Sequence, residues 1–351
     1  MLKNFKLQSL RFAKSMRAFQ LLERSNWRRN RLLILAYHGI SQHDEHLWNP
    51  ALYMTPEHFA SRMRLLKERG CNVLALEPAL RMLYAGELPE KSVVITFDDG
   101  FYSFHREAMP IIREFGWPVT LYLTSYYSDF NRPVFDVMCS YLLWKGRGRV
   151  LDGRFVDRGD LDLGSAEKRS AASLAVRSFA RLSRMSAVEK DELLSSLASK
   201  LGVDYEVLLA QRLLHLLNFE EVAELGEEGV DIQLHTHRHC SPVDRRLFLR
   251  ELEENRSFIR RFTNSSVSHF CYPSGTYDPK HLPLLSEANV VSAMTCQLGL
   301  AASDTNPFEL PRLIDTNSLH QIEFEGWLCG LLSFLPRRPV HEDEVIHPFY
   351  Y

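Results

Sequence analysis

Two adjacent carboxylates stand directly after an apolar segment rich in β-branched residues. Residues 93–97 predict a buried strand, and Asp98, Asp99 and Gly100 follow it without a spacer. Neighbouring carboxylates repel, so a site that keeps both ionised usually supplies a cation, and a metal bound to one lowers the cost of ionising the other. The pair indicates either a metal-assisted acid–base site or, equally well on its own, a solvated Asp-Asp-Gly turn.

Three histidines follow a second predicted strand at residues 230–234. His235 and His239 reach a common point if the chain makes a helical turn there, whereas His235 and His237 share a side if the strand continues. Two imidazoles and one carboxylate form a facial ligand set that leaves positions for water and substrate. By position alone His237 is as good a ligand candidate as His239, and an exposed cluster without a ligand is the alternative.

Two weaker patterns also follow predicted strands. In Phe270 to Asp278, a Pro and Gly turn could line a pocket wall and bring backbone N–H groups to an oxyanion. In Leu35 to Ile40, the strand ends at His38, which could serve as a proton donor. A lone histidine in such a place is more often packed or solvent-facing than catalytic.

The elements that must position these side chains alternate along the chain. From Leu32 onward, short apolar runs are interleaved with helical patterns, which is typical of βα units. The clearest helix begins at Thr55 as N-cap, with Pro56 in the first turn, and ends at Gly70. This many alternating units favour a parallel, barrel-like sheet whose site lies at the carboxyl ends of the strands.

The alternation of predicted strands and helices is interrupted once. Residues from about 130 to 217 are rich in charged, helical sequence with no clear strand, which predicts a helical insertion in a main α/β domain spanning residues 32–319. Residues 1–31 are predicted to form a separate basic amphipathic helix, and residues 320–351 a C-terminal tail.

The N-terminal segment contains nine Lys or Arg and one acidic residue, Glu23. A helical projection places Phe5, Phe12, Met16 and Phe19 on one face and Lys3, Lys6, Lys14 and Arg17 on another. Such a helix can lie on an anionic membrane surface, so peripheral membrane contact through residues 1–31 is one prediction. Packing of the aromatic face on the chain's own domain is an equally good one. A mitochondrial transit peptide fits less well, because serines are few.

Composition limits the class of protein. The 351 residues are 45% hydrophobic and 25% charged, with a formal net charge of −2, which is ordinary for a globular protein and gives no overall attraction to nucleic acid. Six scattered cysteines fit a reducing compartment. Neither a secretory signal peptide nor a bilayer-spanning stretch is visible, which predicts a cytoplasmic protein, with peripheral contact at the inner membrane face as an extension.

Taken together and in this order, these segments resemble the polysaccharide deacetylase family (the NodB homology domain of carbohydrate esterases), which includes chitooligosaccharide deacetylases. Residues 96–100 resemble its first motif, and residues 235–239 match its His-Thr-x-x-His motif. The resemblance implies a distorted parallel (β/α) barrel. It also implies that Asp98 is the catalytic base, that Asp99, His235 and His239 hold a metal, and that His237 occupies a variable position.

The catalytic histidine departs from the common pattern. Many members take it from a Leu-x-His motif near the C-terminus, but Leu319-His320 lacks the spacer. A branch that includes exopolysaccharide deacetylases appears permuted and carries this histidine early, in a Tyr-His segment. Tyr37-His38 resembles that version, so His38 is the predicted acid.

The third family motif also differs from its usual pattern in this chain. It usually begins with an arginine that orients the base, and Cys271 stands in that place, although Pro273 and Gly275 are kept. Pro311-Arg312 resembles a motif that follows later barrel strands in related sequences, so Arg312 is predicted to replace the lost arginine.

The implied reaction is metal-assisted hydrolysis of an N-acetylated sugar in a polysaccharide, oligosaccharide or glycolipid. Asp98 takes the proton of a water, the metal and the backbone N–H of Tyr272 hold the oxyanion, and His38 protonates the departing amine. Zn²⁺ suits the ligand set best, and Co²⁺, Ni²⁺ or Fe²⁺ also suit it. The alternatives are hydrolysis of another amide or of O-acetyl esters, and a degenerate domain that only binds glycan or serves as a scaffold.

Overall fold

The computed structural model describes residues 2–276 and 278–335. In these residues nine strands form one curled sheet, in the order β11-β10-β9-β6-β5-β1-β12, with β13 also paired to β1 and β4 to β5. The strands are β1 (Arg31–Tyr37), β2 (Gly39–Ile40), β3 (Tyr53–Met54), β4 (Asn72–Val73), β5 (Ser92–Phe97), β6 (Thr120–Leu123), β7 (Val150–Leu151), β8 (Leu161–Asp162), β9 (Asp231–Leu234), β10 (His269–Cys271), β11 (Ser292–Met294), β12 (Ala301–Ala302) and β13 (Leu313–Ile314).

Helices surround the sheet and extend beyond it. They are α1 (Leu2–Ser15), α2 (Ala18–Glu23), α3 (Asn26–Arg29), α4 (Glu45–Trp48), α5 (Pro56–Glu68), α6 (Leu76–Ala85), α7 (Met109–Phe115), α8 (Tyr126–Phe130), α9 (Phe135–Lys145), α10 (Ala166–Leu182), α11 (Ala187–Leu201), α12 (Tyr205–Ala210), α13 (Phe219–Glu227), α14 (Arg245–Ile259), α15 (His281–Glu287) and α16 (Gln321–Leu328). A π-helical turn at Phe104–Ala108 leads directly into α7. As predicted, Thr55 caps α5 by accepting a hydrogen bond from the His58 N–H.

The central strands are parallel, and their register aligns the ends that carry the site. β1 pairs with β5 so that Tyr37 lies opposite Phe97, and β6 pairs with β9 so that Leu123 lies opposite Leu234. Every residue of β5 is buried, as expected for a strand covered on both faces. The residues that follow these strands therefore meet at one edge. The predicted parallel barrel-like α/β fold is confirmed.

The helix-rich segment has a hydrophobic core of its own. Its buried side chains come mainly from α9, α10, α11 and α12, and they form a cluster apart from the one beneath the sheet. The sequence predicts no strand here, yet β7 and β8 pair antiparallel as a short ladder. Two-residue strands lack enough sequence to show an alternating pattern, which explains the omission.

The N-terminal segment forms three helices, because Arg17 adopts a left-handed conformation (φ 60°) between α1 and α2. The predicted single aromatic face is wrong: Phe19 is buried, whereas Phe5, Phe12 and Met16 are exposed. On α1, Lys6 and Lys14 form ion pairs with Glu323 and Glu325 of α16. Further along, Arg29 pairs with Glu90 beside the amino end of β5. The segment therefore packs on the barrel while leaving an apolar row in solvent.

The predicted C-terminal tail is partly structured. Ile322, Phe324 and Trp327 of α16 belong to the main hydrophobic core, because α16 packs between α1 and the barrel. Residues 336–351 of the predicted tail, like Tyr277, lie outside the described residues. Among the described helices, none is both long enough and apolar enough to cross a bilayer.

Candidate metal centre and active site

The carboxyl ends of four strands of the sheet converge on one buried cluster. Asp98 follows β5, His235 follows β9, Cys271 ends β10 and His38 follows β1. Arg312 reaches the same cluster from the residue before β13. The structure thus brings together the side chains that were predicted to act as base, metal ligands, acid and orienting arginine.

The turn after β5 depends on two residues with positive φ. Asp99 has φ 70° and Gly100 has φ 85°, and the Gly100 N–H donates to the Asp98 carbonyl over 2.9 Å. The positive φ favours glycine at residue 100, and a Cβ there would also lie 2.3 Å from Leu123 Cδ1, so the leucine side chain would have to move. Because of this turn, the two adjacent carboxylates point to different partners.

Asp99 faces both imidazoles of the His-Thr-x-x-His segment. Its Oδ1 lies 3.1 Å from His235 Nε2 and 3.1 Å from His239 Nε2. All three side chains are buried, and one ligand atom from each falls within 4.8 Å of the others. One carboxylate and two nitrogen donors can therefore share a single cation.

The histidine segment reaches this geometry by an unexpected route. The segment forms neither a helical turn nor a continued strand, because Thr236 (φ 62°) and His239 (φ 56°) both adopt left-handed conformations in a loop. His237 points elsewhere: its Nδ1 lies 2.9 Å from Ser125 Oγ, and its ring packs edge-on against Tyr126. The geometry selects His239 over His237, a choice that spacing alone left open.

The orientation of His235 is fixed by two neighbours. Its Nδ1 lies 2.8 Å from the Cys271 carbonyl, which can only accept, so Nδ1 carries the proton, and a neutral ring would offer its Nε2 lone pair to a metal shared with Asp99. Its backbone N–H donates to Asn255 Oδ1 over 2.9 Å. These contacts hold the imidazole as a metal-ligating histidine is usually held.

The donor set fits a divalent metal. Asp99 Oδ2 is buried and has no hydrogen-bond partner among the described residues, which is costly for a carboxylate unless a cation completes it. Burial lowers the pKa of His239 against the opposing pull of Asp99, so this imidazole tends to the neutral, ligating form. Burial alone would raise the pKa of Asp99, but His239 and His235 hold it well below its ordinary value.

A second arrangement of donors, Asp98 with His235 and Cys271, is less suited to a metal. Burial raises the pKa of the Cys271 thiol well above its ordinary value, which keeps the sulfur protonated. Arg312 also engages both oxygens of Asp98, so a cation there would meet a fixed positive charge.

Arg312 and Asp98 form a buried bidentate ion pair. The two guanidinium nitrogens Nη1 and Nη2 donate to Oδ1 and Oδ2, each over 2.8 Å, and Nε donates to the Thr295 carbonyl. Burial alone would raise the pKa of Asp98, and the charge and hydrogen bonds of Arg312 reverse this and lower it. Cys271 Sγ lies 3.1 Å from Nη2, so the smaller side chain at residue 271 leaves room for the guanidinium.

His38 is the histidine nearest the carboxylate pair outside the ligand set. Its Nε2 lies 3.7 Å from Asp98 Oδ2, and its side chain is 18% exposed, so it can meet both the base and solvent. The competing candidate, His320, caps α16 instead: its Nδ1 accepts from the Ile322 N–H. The early Tyr-His position therefore supplies the histidine of the cluster.

The predicted oxyanion donor is wrong. The Tyr272 N–H donates to the Met294 carbonyl of the neighbouring strand over 3.1 Å, so it is committed to the sheet. The following turn keeps Pro273 buried and Gly275 at φ 66°, where a Cβ would lie 2.4 Å from Cys296 Cβ. In the described chain, Pro273 and Gly275 shape this wall by close packing.

One positioning residue escaped the sequence analysis. Asn255, on α14, is fully buried. Its Oδ1 accepts from the His235 N–H, and its Nδ2 donates to the Leu123 carbonyl and to Ser125 Oγ, each over 2.9 Å. A sequence signal for it exists: its amide falls among the apolar residues of one helix face, Phe248, Leu252 and Ile259, and a polar residue there needs specific partners.

The sequence is similar to those of known deacetylases. The polysaccharide deacetylase family model matches residues 85–140 and 209–293 of this chain. The putative polysaccharide deacetylase YxkH of Bacillus subtilis (strain 168) is 32% identical over 94 residues, which is 26% of this chain and 32% of that protein. The poly-beta-1,6-N-acetyl-D-glucosamine N-deacetylase of Escherichia coli (strain K12) is 31% identical over 101 residues, 28% of this chain and 14% of that protein. The matches thus span a third or less of each curated relative.

Solved structures share the fold over most of the chain. The Streptococcus pyogenes deacetylase PplD, solved in complex with acetate, superposes with a TM-score of 0.56 at 19% identity, covering 88% of this chain and 99% of that one. IcaB from Ammonifex degensii gives a TM-score of 0.53 at 16% identity, covering 85% and 97%. The family resemblance predicted from the motifs is confirmed.

Proposed function

We propose that this chain, a member of the polysaccharide deacetylase family by its two matched segments and its fold, is a metal-dependent hydrolase that removes acetyl from an N-acetylated sugar. The observation that carries the proposal is the convergence of Asp98 and Asp99 with His235 and His239 at one buried point, next to His38 and Arg312. A binding protein or scaffold has no need for two ionised carboxylates held this way.

Each side chain has a chemical task in the proposal. Asp98, kept ionised by Arg312, accepts the proton of the attacking water. His38, near Asp98 and partly open to solvent, gives a proton to the departing amine. The products are acetate and a free amino sugar.

Asp99, His235 and His239 would hold the metal, for which Zn²⁺ is the first choice and Co²⁺, Ni²⁺ or Fe²⁺ also fit. Bound there, a divalent metal polarises a carbonyl and lowers the pKa of a water. Asn255 and the Cys271 carbonyl would keep His235 aligned for that purpose.

The relatives support the substrate class that we propose. The Escherichia coli relative is named for removing acetyl groups from poly-beta-1,6-N-acetyl-D-glucosamine, so an N-acetylated glycan or glycolipid is the proposed substrate here. We also propose a cytoplasmic location, with peripheral contact at the inner membrane face.

The test combines metal analysis with acetate release. The intact protein should carry about one metal per chain and release acetate from N-acetylated oligosaccharides or glycolipids. D99A/H235A should do neither, whereas D98N should keep the metal and lose turnover. R158A, which changes an exposed residue far along the insertion, is the control and should match the intact protein.

H38A separates the role of the acid from that of the ligands. It should retain the metal and lose about 10²- to 10⁴-fold in kcat, the usual contribution of a general acid. Unchanged turnover in H38A would remove His38 from the mechanism. An intact protein that holds no metal even after reconstitution would defeat the whole proposal.

A further inference from the structure

An opening lies between the barrel and the helical insertion, beside the loop that carries His235 to His239. It is a cavity of about 400 Å³ at the meeting of α8, α9 and α10 with that loop. Five cationic side chains line it, with one carboxylate, Asp136, among them. The cations are Arg177, Arg181, Arg184, Lys190 and Arg238.

Two of these cations are already neutralised by the protein. Arg177 Nε lies 3.4 Å from Asp136 Oδ2, and Arg238 pairs with Glu251 and Glu254 of α14 over 2.6 Å each. Among the side chains that the structure describes, which do not include that of Asp129, no carboxylate lies within 4.0 Å of the charged groups of Arg181, Arg184 or Lys190. The cavity therefore has positive charge that the described side chains do not balance.

Three aromatic side chains form part of the remaining wall, together with Leu174, Ser178, Ala180 and Met185. Tyr126 and Tyr127 meet edge to face with ring centroids 5.2 Å apart, and Phe135 lies beside them with Lys190 over its ring at 5.8 Å. A pocket with apolar walls and a few convergent charged groups has the general form of a ligand site. Three unbalanced cations indicate an anionic ligand.

The cavity adjoins the metal centre through one short segment. The Thr124 N–H donates to the Asp99 carbonyl over 3.1 Å, and two residues later the Tyr126 N–H donates to the His237 carbonyl over 2.9 Å. Tyr126 also lines the cavity. The metal centre and the cavity are therefore connected through residues 124–126.

We infer that this cavity binds an anionic group of the same glycan, a phosphate or a carboxylate, so that the preferred substrate is an acidic or phosphorylated N-acetylated glycan. The inference rests on the proposed function for the acetyl end of the substrate. Arg181 and Arg184 can each offer a planar fork of donors to such an oxyanion, a match that neutral glycans cannot use.

Matched neutral and anionic substrates test this inference. Acetate release is measured with an acetylated chitotetraose, with the same tetramer bearing a reducing-end phosphate, and with one ending in a uronic acid. At least one anionic tetramer should have a KM about tenfold or more below that of the neutral one, and the difference should shrink as salt is raised. Whichever anion gives the lower KM identifies phosphate or carboxylate as the group bound.

The variant R181A/R184A should abolish the difference between anionic and neutral tetramers, R181K/R184K should restore part of it, and R158A should leave it unchanged. Equal KM values for all three tetramers in the intact protein would overturn the inference while leaving the proposed function in place.

If the intact protein released acetate from no tetramer, the proposed function would fail and the cavity would still be tested by calorimetry with inorganic pyrophosphate and citrate. Binding that R181A/R184A loses and R158A keeps would support the inference. Absence of binding to the intact protein would reject it.

Discussion

Arg312 contacts Asp98 from a distant part of the chain. Its guanidinium donates to both oxygens of Asp98 from 214 positions away in the sequence, and Cys271 is small enough to let it pass. The pair is completely buried, so each charge depends on the other for its stability. At the scale of the single residue, the ionised state of the proposed base depends on this contact.

Lysine at residue 312 would keep the charge and lose the bidentate geometry. We expect R312K to lower kcat by about 100-fold, roughly 2.7 kcal/mol in the barrier, with KM changed little, because Asp98 is no longer held in one orientation. Metal content should stay near that of the intact protein.

R312A would leave Asp98 as an uncompensated buried charge, and such losses cost about 3–5 kcal/mol of folding free energy. Urea titration of both variants separates the two effects. If R312K matched the intact enzyme in kcat, the guanidinium would have no role in positioning the base.

At the scale of the element, α14 acts as the support of the ligand loop. Asn255 joins its buried face to His235, Leu123 and Ser125, and Glu251 accepts from the Arg238 N–H one turn earlier. Two parallel strands and the loop between the ligands are thus tied to a single helix.

Replacing Asn255 by leucine should weaken metal binding about 10- to 100-fold, as loss of outer contacts to a ligand usually does. N255L should also lose stability, because the buried N–H of His235 and the Leu123 carbonyl are left unpaired. Metal titration followed by thermal unfolding measures both. S257A, on the exposed face of the same helix, is the matched control, and equal metal affinity in N255L would contradict the role of α14.

His215 lies where the insertion rejoins the barrel, and its titration should make that junction sensitive to acid. Burial lowers its pKa to about 4 from an ordinary 6.5. Between these pH values the unfolded chain binds a proton that the folded chain does not, so stability falls as pH drops from about 6.5 to about 4. At pH 5 the cost is about 2 kcal/mol.

H215Q removes this titration. The free energy of unfolding should therefore fall less between pH 7 and pH 5 in H215Q than in the intact protein, by about 2 kcal/mol. H43Q, at an exposed position beside Gln211, should keep the full pH dependence. Identical pH profiles for the intact protein and H215Q would show that another group causes the acid sensitivity.

At the scale of the whole molecule, the N-terminal helices have two different surfaces. One surface packs against the rest of the chain: Leu10 and Phe19 are buried, and Lys6 and Lys14 form ion pairs with α16. The other presents Phe5, Phe12 and Met16 to solvent, 70%, 68% and 63% exposed. Deleting the segment would therefore damage the fold, so point substitutions are the sounder test of membrane contact.

We expect F5S/F12S/M16S to bind anionic vesicles more weakly than the intact protein in co-sedimentation, with an unchanged melting temperature, because these side chains contribute little to the core. Vesicles of neutral lipid are the control for charge. Equal recovery of both proteins with anionic vesicles would end the membrane proposal.

The sequence by itself determined the fold class and most of the cluster. Asp98, Asp99, His235 and His38 each follow an apolar run, and parallel strands bring all such positions to one edge. The motifs therefore predicted which residues meet, without any knowledge of the distances between them.

Only the tertiary structure decided what depends on backbone direction and on contacts distant in sequence. The left-handed residues Thr236 and His239 choose His239 over His237, and sheet pairing withdraws the Tyr272 N–H from the oxyanion. The charged cavity likewise exists only where the insertion meets the barrel. Local patterns record neither φ angles nor the partners of distant residues, and these two quantities set the geometry of the site.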